Sequence, residues 1–356
     1  MTTPRLGIIE GFYGPLWRWA DRRALMERLQ PHGYDFYWYA PKADPFLRRA
    51  WEYAHPPETA ANLRAFARWC DDRGIAFGIG LSPWEVFNRF DDAARRSMAD
   101  KLAFCESIGA TGLAILFDDM HPDTPDLALR QGEIIDWVRQ RSRFQQLAVC
   151  PSYYSDDPVL DRVFGHRPDH YLEDLGTALD PSVDVFWTGE EVCSREISPG
   201  HLRWVAEQLG RKPLLWDNYP VNDGDRMSRY LHLRGFTGRP AANAAEMAGH
   251  AINPALQPTL TAIPALTLAQ SYRRGADYCY GEAFREAAAE VVGPDLAAQL
   301  LADLLVLQDA GLHRLSEETS ARLKATYAGF DHPAAAEVLR WLAGEYQVTD
   351  EMVQTQ

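Results

Sequence analysis

Two adjacent aspartates, Asp118 and Asp119, directly follow an apolar run at residues 113–117. Apolar runs of this length are typical of a strand that is covered on both faces. Carboxylates at the carboxyl end of such a strand open into the mouth of an α/β sheet or barrel, where they can act as general acid and base. Because Asp is also common in turns and at helix N-caps, the pair alone leaves a purely structural role open.

Further polar and aromatic residues stand at or just after the ends of other strand-like runs. They are Gly11, Tyr13, Lys42, Cys150, Tyr154, Trp216, Asn218, Asp223 and Asn253. If the strands are parallel, these residues meet at one mouth. Carboxylates, amides, hydroxyls, a lysine and an indole together can hydrogen-bond many hydroxyl groups and stack on an apolar sugar face. The composition is typical of a carbohydrate site.

The elements that must position these residues alternate along the chain. Short β-rich runs are predicted at 6–10, 34–40, 75–81, 112–119, 147–154, 183–188, 213–219 and 249–253. Segments with helical spacing lie between them, for example at 21–29, 58–72, 91–108, 126–142 and 200–209. This alternation predicts an α/β fold, a (β/α)8 TIM barrel, although the pattern alone leaves a doubly wound sheet with extra strands open.

The alternation stops after Asn253. Residues 263–356 are rich in Ala and Leu at helical spacing, as at Leu296 and Leu300, and contain almost no β-rich run. We therefore predict a catalytic barrel over 1–262 and a C-terminal helical appendage over 263–356 that packs on the barrel.

Composition narrows the class of protein. A chain of 356 residues with 46% hydrophobic and 24% charged residues can bury a large core, and predicts a soluble globular protein. The formal net charge is -14 and no block of Lys or Arg is present, so neither nucleic acid nor an anionic membrane surface is an expected partner. The sequence predicts no oligomeric state.

The cysteines and the apolar runs predict further absences. The five cysteines are scattered, without a CxxC motif or a Cys/His cluster, which argues against a disulfide framework, a zinc site or another metal cofactor. No apolar run is long enough to span a membrane, and no signal peptide is visible, so we expect a cytoplasmic protein without a cofactor.

Six ordered motifs carry a resemblance to a known family. They are Glu10-Gly-Phe-Tyr-Gly14, Tyr39-Ala-Pro-Lys42, Leu116-Phe-Asp-Asp119, Trp187-Thr-Gly189, Trp216-Asp-Asn218 with Asp223 beyond it, and Asn253-Pro254. In these motifs, over roughly residues 6–284, the chain resembles the retaining β-N-acetylglucosaminidases of glycoside hydrolase family 84, which include the O-GlcNAcases. The resemblance implies hydrolysis of terminal β-linked N-acetylglucosamine, including the sugar on Ser or Thr of proteins.

The resemblance also implies substrate-assisted catalysis, in which the 2-acetamido oxygen of the substrate attacks the anomeric carbon and forms an oxazoline. Asp118 would accept the acetamide N–H and polarise that group. Asp119 would protonate the leaving oxygen and then activate water. An acid with this task needs a raised pKa, which desolvation and the neighbouring Asp118 charge can supply, so we expect the pair to titrate as a coupled unit.

The remaining site residues take roles that the resemblance implies. Tyr154 would approach the acetamide oxygen, although here Cys-Pro-Ser-Tyr-Tyr replaces the more usual Cys-Pro-Thr-Glu-Tyr. Asn218 would fix polar atoms around the reacting centre. The acetamide methyl group would be walled by Tyr13, Cys150 and Trp216. The ring hydroxyls would be held by Gly11, Lys42, Asp223 and Asn253.

Structural roles and two rival functions stay open at this stage. Gly11 can simply permit a turn, Lys42 can pair with Asp44, and Trp216 can belong to the core. A metal-dependent barrel hydrolase would use Asp118 and Asp119 as ligands, but no His-x-His pair accompanies them. A non-catalytic glycan-binding barrel would keep the sugar pocket without turnover.

Overall fold

A closed barrel of eight parallel strands forms the centre of the computed structural model, which describes residues 3–122, 124 and 126–348. The strands follow chain order, and β8 pairs with β1 to close the ring. They are β1 (Leu6–Glu10), β2 (Tyr34–Tyr39), β3 (Ala76–Leu81), β4 (Gly112–Leu116), β5 (Gln146–Cys150), β6 (Val183–Trp187), β7 (Leu214–Asp217) and β8 (Gly249–Ile252). The TIM-barrel prediction is confirmed, and the doubly wound alternative is wrong.

Helices connect the strands and continue beyond them. They are α1 (Trp19–Leu29), α2 (Pro57–Asp71), α3 (Asp92–Ser107), α4 (Leu127–Arg139), α5 (Pro158–Phe164), α6 (Tyr171–Ala178), α7 (Pro199–Leu209), α8 (Gly224–Met227), α9 (Pro258–Arg274), α10 (Tyr280–Val292), α11 (Pro294–Ala302), α12 (Glu317–Tyr327) and α13 (Pro333–Leu342). Short 3-10 turns lie at Gln30–His32, Pro45–Leu47, Ala241–Ala245, Gly275–Asp277 and Leu312–Arg314, and a π-helical turn at Val306–Ala310.

Two features depart from the predicted alternation. Strand β4 ends at Leu116, because Leu116 and Cys150 form its last pair with β5, so both aspartates lie on the loop beyond the strand. The connection from β7 to β8 contains only α8 and the 3-10 turn Ala241–Ala245, which contacts α7 and α9. This turn takes the position of a long seventh barrel helix.

The interior of the barrel is filled by an aromatic column, which we define as Trp38, Phe186 and Trp216. Phe186 packs edge-on against Trp38 and Trp216, with ring centroids 6.0 and 5.4 Å away. Gly78 makes room for this column, since a Cβ atom there would lie 2.2 Å from the Trp38 ring. The barrel is therefore a packed core that opens only at its mouth.

Buried ion pairs join the outer faces of the strands to neighbouring segments. Glu10 of β1 accepts two hydrogen bonds from Arg22 of α1, at 2.6 and 2.8 Å, and one from the Tyr37 hydroxyl at 2.6 Å. Asp217 of β7 accepts two from Arg239, both at 2.8 Å. Neither carboxylate lines the mouth of the barrel, so both serve the scaffold.

The C-terminal helices are tied to the barrel by α9, which packs along α1. Glu337 of α13 accepts hydrogen bonds from the backbone N–H groups of Thr259 and Leu260, at 2.8 and 2.9 Å, in the first turn of α9. The predicted division after residue 262 falls inside α9. The contact of α13 with α9 favours a boundary beyond Arg274, and the division into two domains stays a prediction. Residues 1–2 and 349–356 of the two predicted domains lie outside the described residues.

Across the described part of the chain, none of the helices combines the length and apolar character that a membrane crossing requires. The cytoplasmic location stays a prediction.

Candidate active site

A cleft opens where the carboxyl ends of the strands meet. All the site residues predicted from the sequence line this cleft: Gly11, Tyr13, Lys42, Asp118, Asp119, Cys150, Tyr154, Trp216, Asn218, Asp223 and Asn253. The barrel thus brings together residues that lie at the carboxyl ends of β1, β2, β4, β5, β7 and β8 or just beyond them.

Asp118 and Lys42 form a buried ion pair at the base of the cleft. The Lys42 ammonium donates to Oδ2 of Asp118, while Oδ1 of Asp118 has no hydrogen-bond partner among the described residues. Asp44 interacts with His55 at 3.3 Å and accepts a hydrogen bond from the Tyr39 hydroxyl instead, so the alternative pairing of Lys42 with Asp44 is wrong. The lysine neutralises Asp118 and leaves one acceptor oxygen for a ligand.

Asp119 has a different environment. Its carboxyl group accepts hydrogen bonds from the hydroxyls of Tyr13 and Tyr154, at 2.9 and 3.0 Å. Desolvation in the cleft and, second, the Asp118 charge raise the pKa of Asp119 above its ordinary value, against the opposing effects of Lys42 and Arg48. Asp119 is therefore favoured to hold a proton that it can donate.

The two carboxyl groups differ because their partners differ. A cation balances Asp118, whereas neutral hydroxyls contact Asp119 and its closest charged neighbour in sequence is another carboxylate. Different environments give neighbouring carboxyl groups different roles in hydrolases. Here Asp118 is suited to accept a hydrogen bond beside a cation, and Asp119, with its raised pKa, is suited to donate a proton.

Trp216 and Gly11 form one wall of the cleft. A Cβ atom at position 11 would lie 2.1 Å from the Trp216 ring, so glycine is what permits the indole to approach the backbone there. Cys150 lies nearby, and burial raises the pKa of its thiol well above the ordinary value, which keeps it neutral. This wall is apolar and suits a methyl group or the face of a sugar ring.

The amide side chains of Asn218 and Asn253 hold the wall formed by Trp216 and Gly11 in place. Oδ1 of Asn218 accepts hydrogen bonds from the Trp216 indole at 3.0 Å and from Nδ2 of Asn253 at 2.9 Å. Oδ1 of Asn253 accepts the backbone N–H of Gly11 at 3.1 Å. Side chains locked in this way are held ready for a ligand, which lowers the cost of ordering them on binding.

Asp223 is a further polar residue that lines the cleft. Its Oδ2 accepts the backbone N–H of Tyr13 at 2.7 Å. Burial raises the pKa of Asp223 to about 6, although that hydrogen bond works in the opposite direction. The carboxylate is ionised at neutral pH and can accept hydroxyl groups.

Thr188 of the Trp187-Thr-Gly189 motif directly follows β6 and lines the cleft, as expected of a residue at a strand end. Sequence reasoning missed three further lining residues: Val192, Cys193 and Val221. They lie on loops where no strand end or motif marks them. Arg48 was also missed: its Nη2 donates to the Tyr13 hydroxyl at 3.1 Å and to the Asp119 carbonyl at 3.3 Å.

The donor set does not resemble a metal centre. Within residues 3–122, 124 and 126–348, no three His, Cys, Asp or Glu side chains are grouped so that they could hold a metal ion. Asp118 is neutralised by Lys42, whereas a metal site needs its carboxylates for the cation.

Comparisons with known proteins agree with the geometry. A family model described as NAGidase, beta-N-acetylglucosaminidase, matches residues 6–304. The chain is 28% identical to the Protein O-GlcNAcase of Mus musculus over 276 residues, and the same values hold for that of Rattus norvegicus. A solved O-GlcNAc hydrolase mutant from Thermobaculum terrenum superposes with a TM-score of 0.79 and 27% identity, over 95% of this chain and 80% of that one. The matches to the mouse and rat proteins cover 75% of this chain but only 30% of their length.

Proposed function

The chain belongs to the β-N-acetylglucosaminidase family, and from this membership we propose that it is a retaining exo-β-N-acetylglucosaminidase. The substrate is terminal β-linked N-acetylglucosamine on a glycoconjugate, including the sugar on Ser or Thr of proteins. The reaction proceeds by substrate-assisted catalysis through an oxazoline intermediate.

The unequal setting of the two adjacent carboxyl groups carries this proposal. A double displacement by two separated carboxylates would need a nucleophile across the sugar from the acid. Asp118 and Asp119 are neighbours in the chain, one paired with Lys42 and one with a raised pKa. This combination suits a substrate that supplies its own nucleophile, because the enzyme then has to hold the acetamide and supply one acid.

In the first step, Asp118 uses its unpartnered Oδ1 to accept the acetamide N–H. This contact orients the acetamide and increases the electron density on its carbonyl oxygen. That oxygen bonds to the anomeric carbon while the bond from this carbon to the aglycone oxygen breaks. Asp119 transfers its proton to the departing oxygen, which leaves as an alcohol.

In the second step, ionised Asp119 takes a proton from water as the water oxygen attacks the anomeric carbon. The bond to the acetamide oxygen breaks, the acetamide is restored and Asp119 regains its proton. Two inversions at one carbon give net retention. The Tyr154 hydroxyl, which contacts Asp119 at 3.0 Å, lies close enough to the reacting groups to exchange this contact for the acetamide oxygen.

The other cleft residues bind the sugar in this proposal. Lys42, Asp223, Asn253 and the backbone at Gly11 hold the ring hydroxyls. Tyr13, Cys150 and Trp216 enclose the acetamide methyl group, and Asn218 keeps Trp216 and Asn253 in place. Besides holding a hydroxyl, Lys42 donates to Oδ2 of Asp118 and so leaves Oδ1 to face the acetamide.

Hydrolysis of two aryl β-N-acetylglucosaminides tests the proposal, one with a poor and one with a good leaving group, in the presence of a chelator. We expect wild type to cleave both, to release the β-anomer first, and to leave the matched β-glucoside intact. Asp119→Asn should lower kcat/KM by about 10²- to 10⁴-fold for the poor leaving group and less for the good one. Asp118→Asn should impair both substrates, since each needs the acetamide.

The matched control is Asp92→Asn, which changes a carboxylate that is 86% exposed at the start of α3 and should leave both rates unchanged. Cleavage of the β-glucoside at a similar rate would overturn the substrate-assisted mechanism. Activity that disappears with the chelator would favour a metal-dependent hydrolase. Sugar binding without hydrolysis would favour a glycan-binding barrel.

A further inference from the structure

The backbone at Asp119 adopts a conformation that most residues avoid. Its φ is 54°, in the left-handed region, which costs an L-residue on the order of 1–2 kcal/mol. Such conformations persist only where surrounding contacts hold them, and they often occur at catalytic positions. The contacts that hold Asp119 are therefore of functional interest.

Arg48 contacts Asp119 in two ways. Its Nη2 donates to the Asp119 carbonyl at 3.3 Å and to the Tyr13 hydroxyl at 3.1 Å, and that hydroxyl donates to Oδ2 of Asp119 at 2.9 Å. One nitrogen thus holds the backbone of Asp119 directly and its carboxyl group through Tyr13. Rotation of the carboxyl group away from this position breaks the chain of hydrogen bonds.

The guanidinium group of Arg48 is itself firmly placed. Arg48 is 4% exposed, and its guanidinium carbon lies 4.7 Å from the centre of the Trp84 ring and 5.4 Å from that of Tyr13. The neighbouring Arg49 also packs on Trp84, at 4.4 Å, but within the described part of the chain it makes no hydrogen bond to Tyr13 or Asp119. Stacked, planar guanidinium groups lose little freedom when they donate hydrogen bonds.

We propose that Arg48 is a positioning residue that holds Asp119 where its carboxyl group reaches the leaving oxygen. This inference rests on the proposed function, because it assumes that Asp119 is the general acid. Arg48 touches neither the sugar nor the reacting atoms in this assignment. Its positive charge also lowers the pKa of Asp119 against the effect of desolvation, so that the acid still releases its proton.

The test compares Arg48→Met with Arg49→Met and wild type on aryl β-N-acetylglucosaminides whose leaving groups differ in pKa. We expect Arg48→Met to lower kcat about 10- to 100-fold for the poorest leaving group, with little change in KM, because a misplaced acid fails where protonation matters most. The loss should shrink for leaving groups that need no protonation. Arg49→Met changes the other arginine on Trp84. It should show the same dependence of kcat on the pKa of the leaving group as wild type.

A pH profile separates positioning from packing. Activity falls as pH rises through the pKa of the acid, and removal of the Arg48 charge raises that pKa, so the basic limb of kcat should move to higher pH in Arg48→Met. Arg48→Lys, which keeps a charge but not the stacked planar group, should steepen the leaving-group dependence with a smaller movement of the limb. It also provides the readout if Arg48→Met does not fold.

The outcomes distinguish the two proposals. A wild type without hydrolysis would overturn the proposed function and this assignment with it. Wild-type hydrolysis together with an equal loss for every leaving group and an unmoved basic limb in both Arg48 variants would overturn the positioning role alone. A steeper leaving-group dependence limited to Arg48 variants supports it.

Discussion

Asp119 and Asp217 both stand near the carboxyl ends of barrel strands, yet their environments are opposite. Asp217 is 1% exposed and both of its oxygens have partners, with two hydrogen bonds from Arg239 and a contact to His250 at 3.0 Å. Burial raises its pKa, but Arg239 and these hydrogen bonds outweigh burial and bring the pKa down to about 2. Asp119 has only tyrosine hydroxyls on its carboxyl group, and its pKa is raised.

The contrast between the pKa values of Asp217 and Asp119 shows that one fold can place the same chemical group in a setting suited to stability or in one suited to catalysis. A carboxyl group with a lowered pKa contributes stability above its unfolded-state pKa and loses it only as pH falls through the folded value. A carboxyl group with a raised pKa contributes stability only at low pH, and loses it as pH rises through the folded value. At neutral pH, Asp217 therefore stabilises the fold, whereas the raised pKa of Asp119 gives no such stability and suits the role of acid proposed for it.

The largest expected effect on this comparison comes from Asp217→Asn. Loss of one partner leaves Arg239 buried without its balancing charge, so the free energy of unfolding should fall by about 3–5 kcal/mol. Denaturant unfolding at pH 7 measures the change. Asp225→Asn is the matched control, because it removes a carboxylate that is 68% exposed in a surface pair with Arg229 and should cost less than about 1 kcal/mol.

The same measurement on Asp119→Asn should show a free energy of unfolding that is unchanged or higher than that of wild type. An amide removes a charge that desolvation disfavours, and it preserves the shape of the side chain. A destabilisation as large as that of Asp217→Asn would break the comparison, since Asp119 would then be part of the scaffold.

A smaller effect is expected from Asp223→Asn, because this carboxylate combines a buried position with a binding role. Loss of a charged hydrogen bond of about 1.5–3 kcal/mol should lower kcat/KM roughly 10- to 100-fold at pH 7. Since the pKa of Asp223 is raised to about 6, wild-type kcat/KM should also fall as pH decreases through 6, and the variant should lack that limb. The pH profile of kcat/KM is the measurement, and an acid limb that persists in the variant would assign it to another group.

A further effect, visible as a pH dependence of stability, concerns Glu337 in the C-terminal helices. It accepts two backbone N–H groups, yet burial raises its pKa to about 7. Because the folded pKa lies above the unfolded value, its contribution to stability is present below about pH 4.5 and is lost as pH rises through about 7. We expect wild type to lose about 3 kcal/mol over this window, and Glu337→Gln to remove that dependence.

Thermal unfolding between pH 5 and 8 measures this dependence. Glu318→Gln is the matched control, since Glu318 is an exposed carboxylate in α12 and its loss should leave the pH dependence as in wild type. If Glu337→Gln keeps the wild-type dependence, another buried group controls it.

The strands and their order could be predicted from the sequence because parallel barrel strands are apolar runs and consecutive units lie side by side. The connection from β7 to β8 could not, since α8 and the 3-10 turn Ala241–Ala245 pack where the alternation implies a barrel helix, and no apolar periodicity marks the difference. The carboxyl ends of β4, β5 and β7 were predicted too far along, because the residues just beyond them include side chains typical of strands, as at Phe117, Tyr154 and Tyr219.

The site residues could be predicted as a group because strand ends converge, but their mutual contacts could not. Lys42 lies close to Asp44 in sequence, yet it pairs with Asp118, because the loop after β2 turns toward β4. Arg48 lies well beyond the end of β2, so its place in the sequence does not indicate the cleft, and the folded loop brings it to Tyr13. In the Trp216-Asp-Asn218 motif, neighbours also face different ways: Asp217 serves the scaffold, whereas Trp216 and Asn218 line the cleft.

The aromatic column has a consequence for engineering the proposed activity toward bulkier N-acyl groups. Trp216 lies in the wall of the cleft, and behind it Phe186 and then Trp38 fill the barrel completely enough that Gly78 admits no side chain. A deeper cleft therefore cannot be gained without opening a cavity in the barrel core, which costs about 3–5 kcal/mol for an aromatic residue cut back to alanine. Laboratory selection for longer acyl chains should accordingly find its tolerated changes at Cys150 and the rim loops, and leave the column intact.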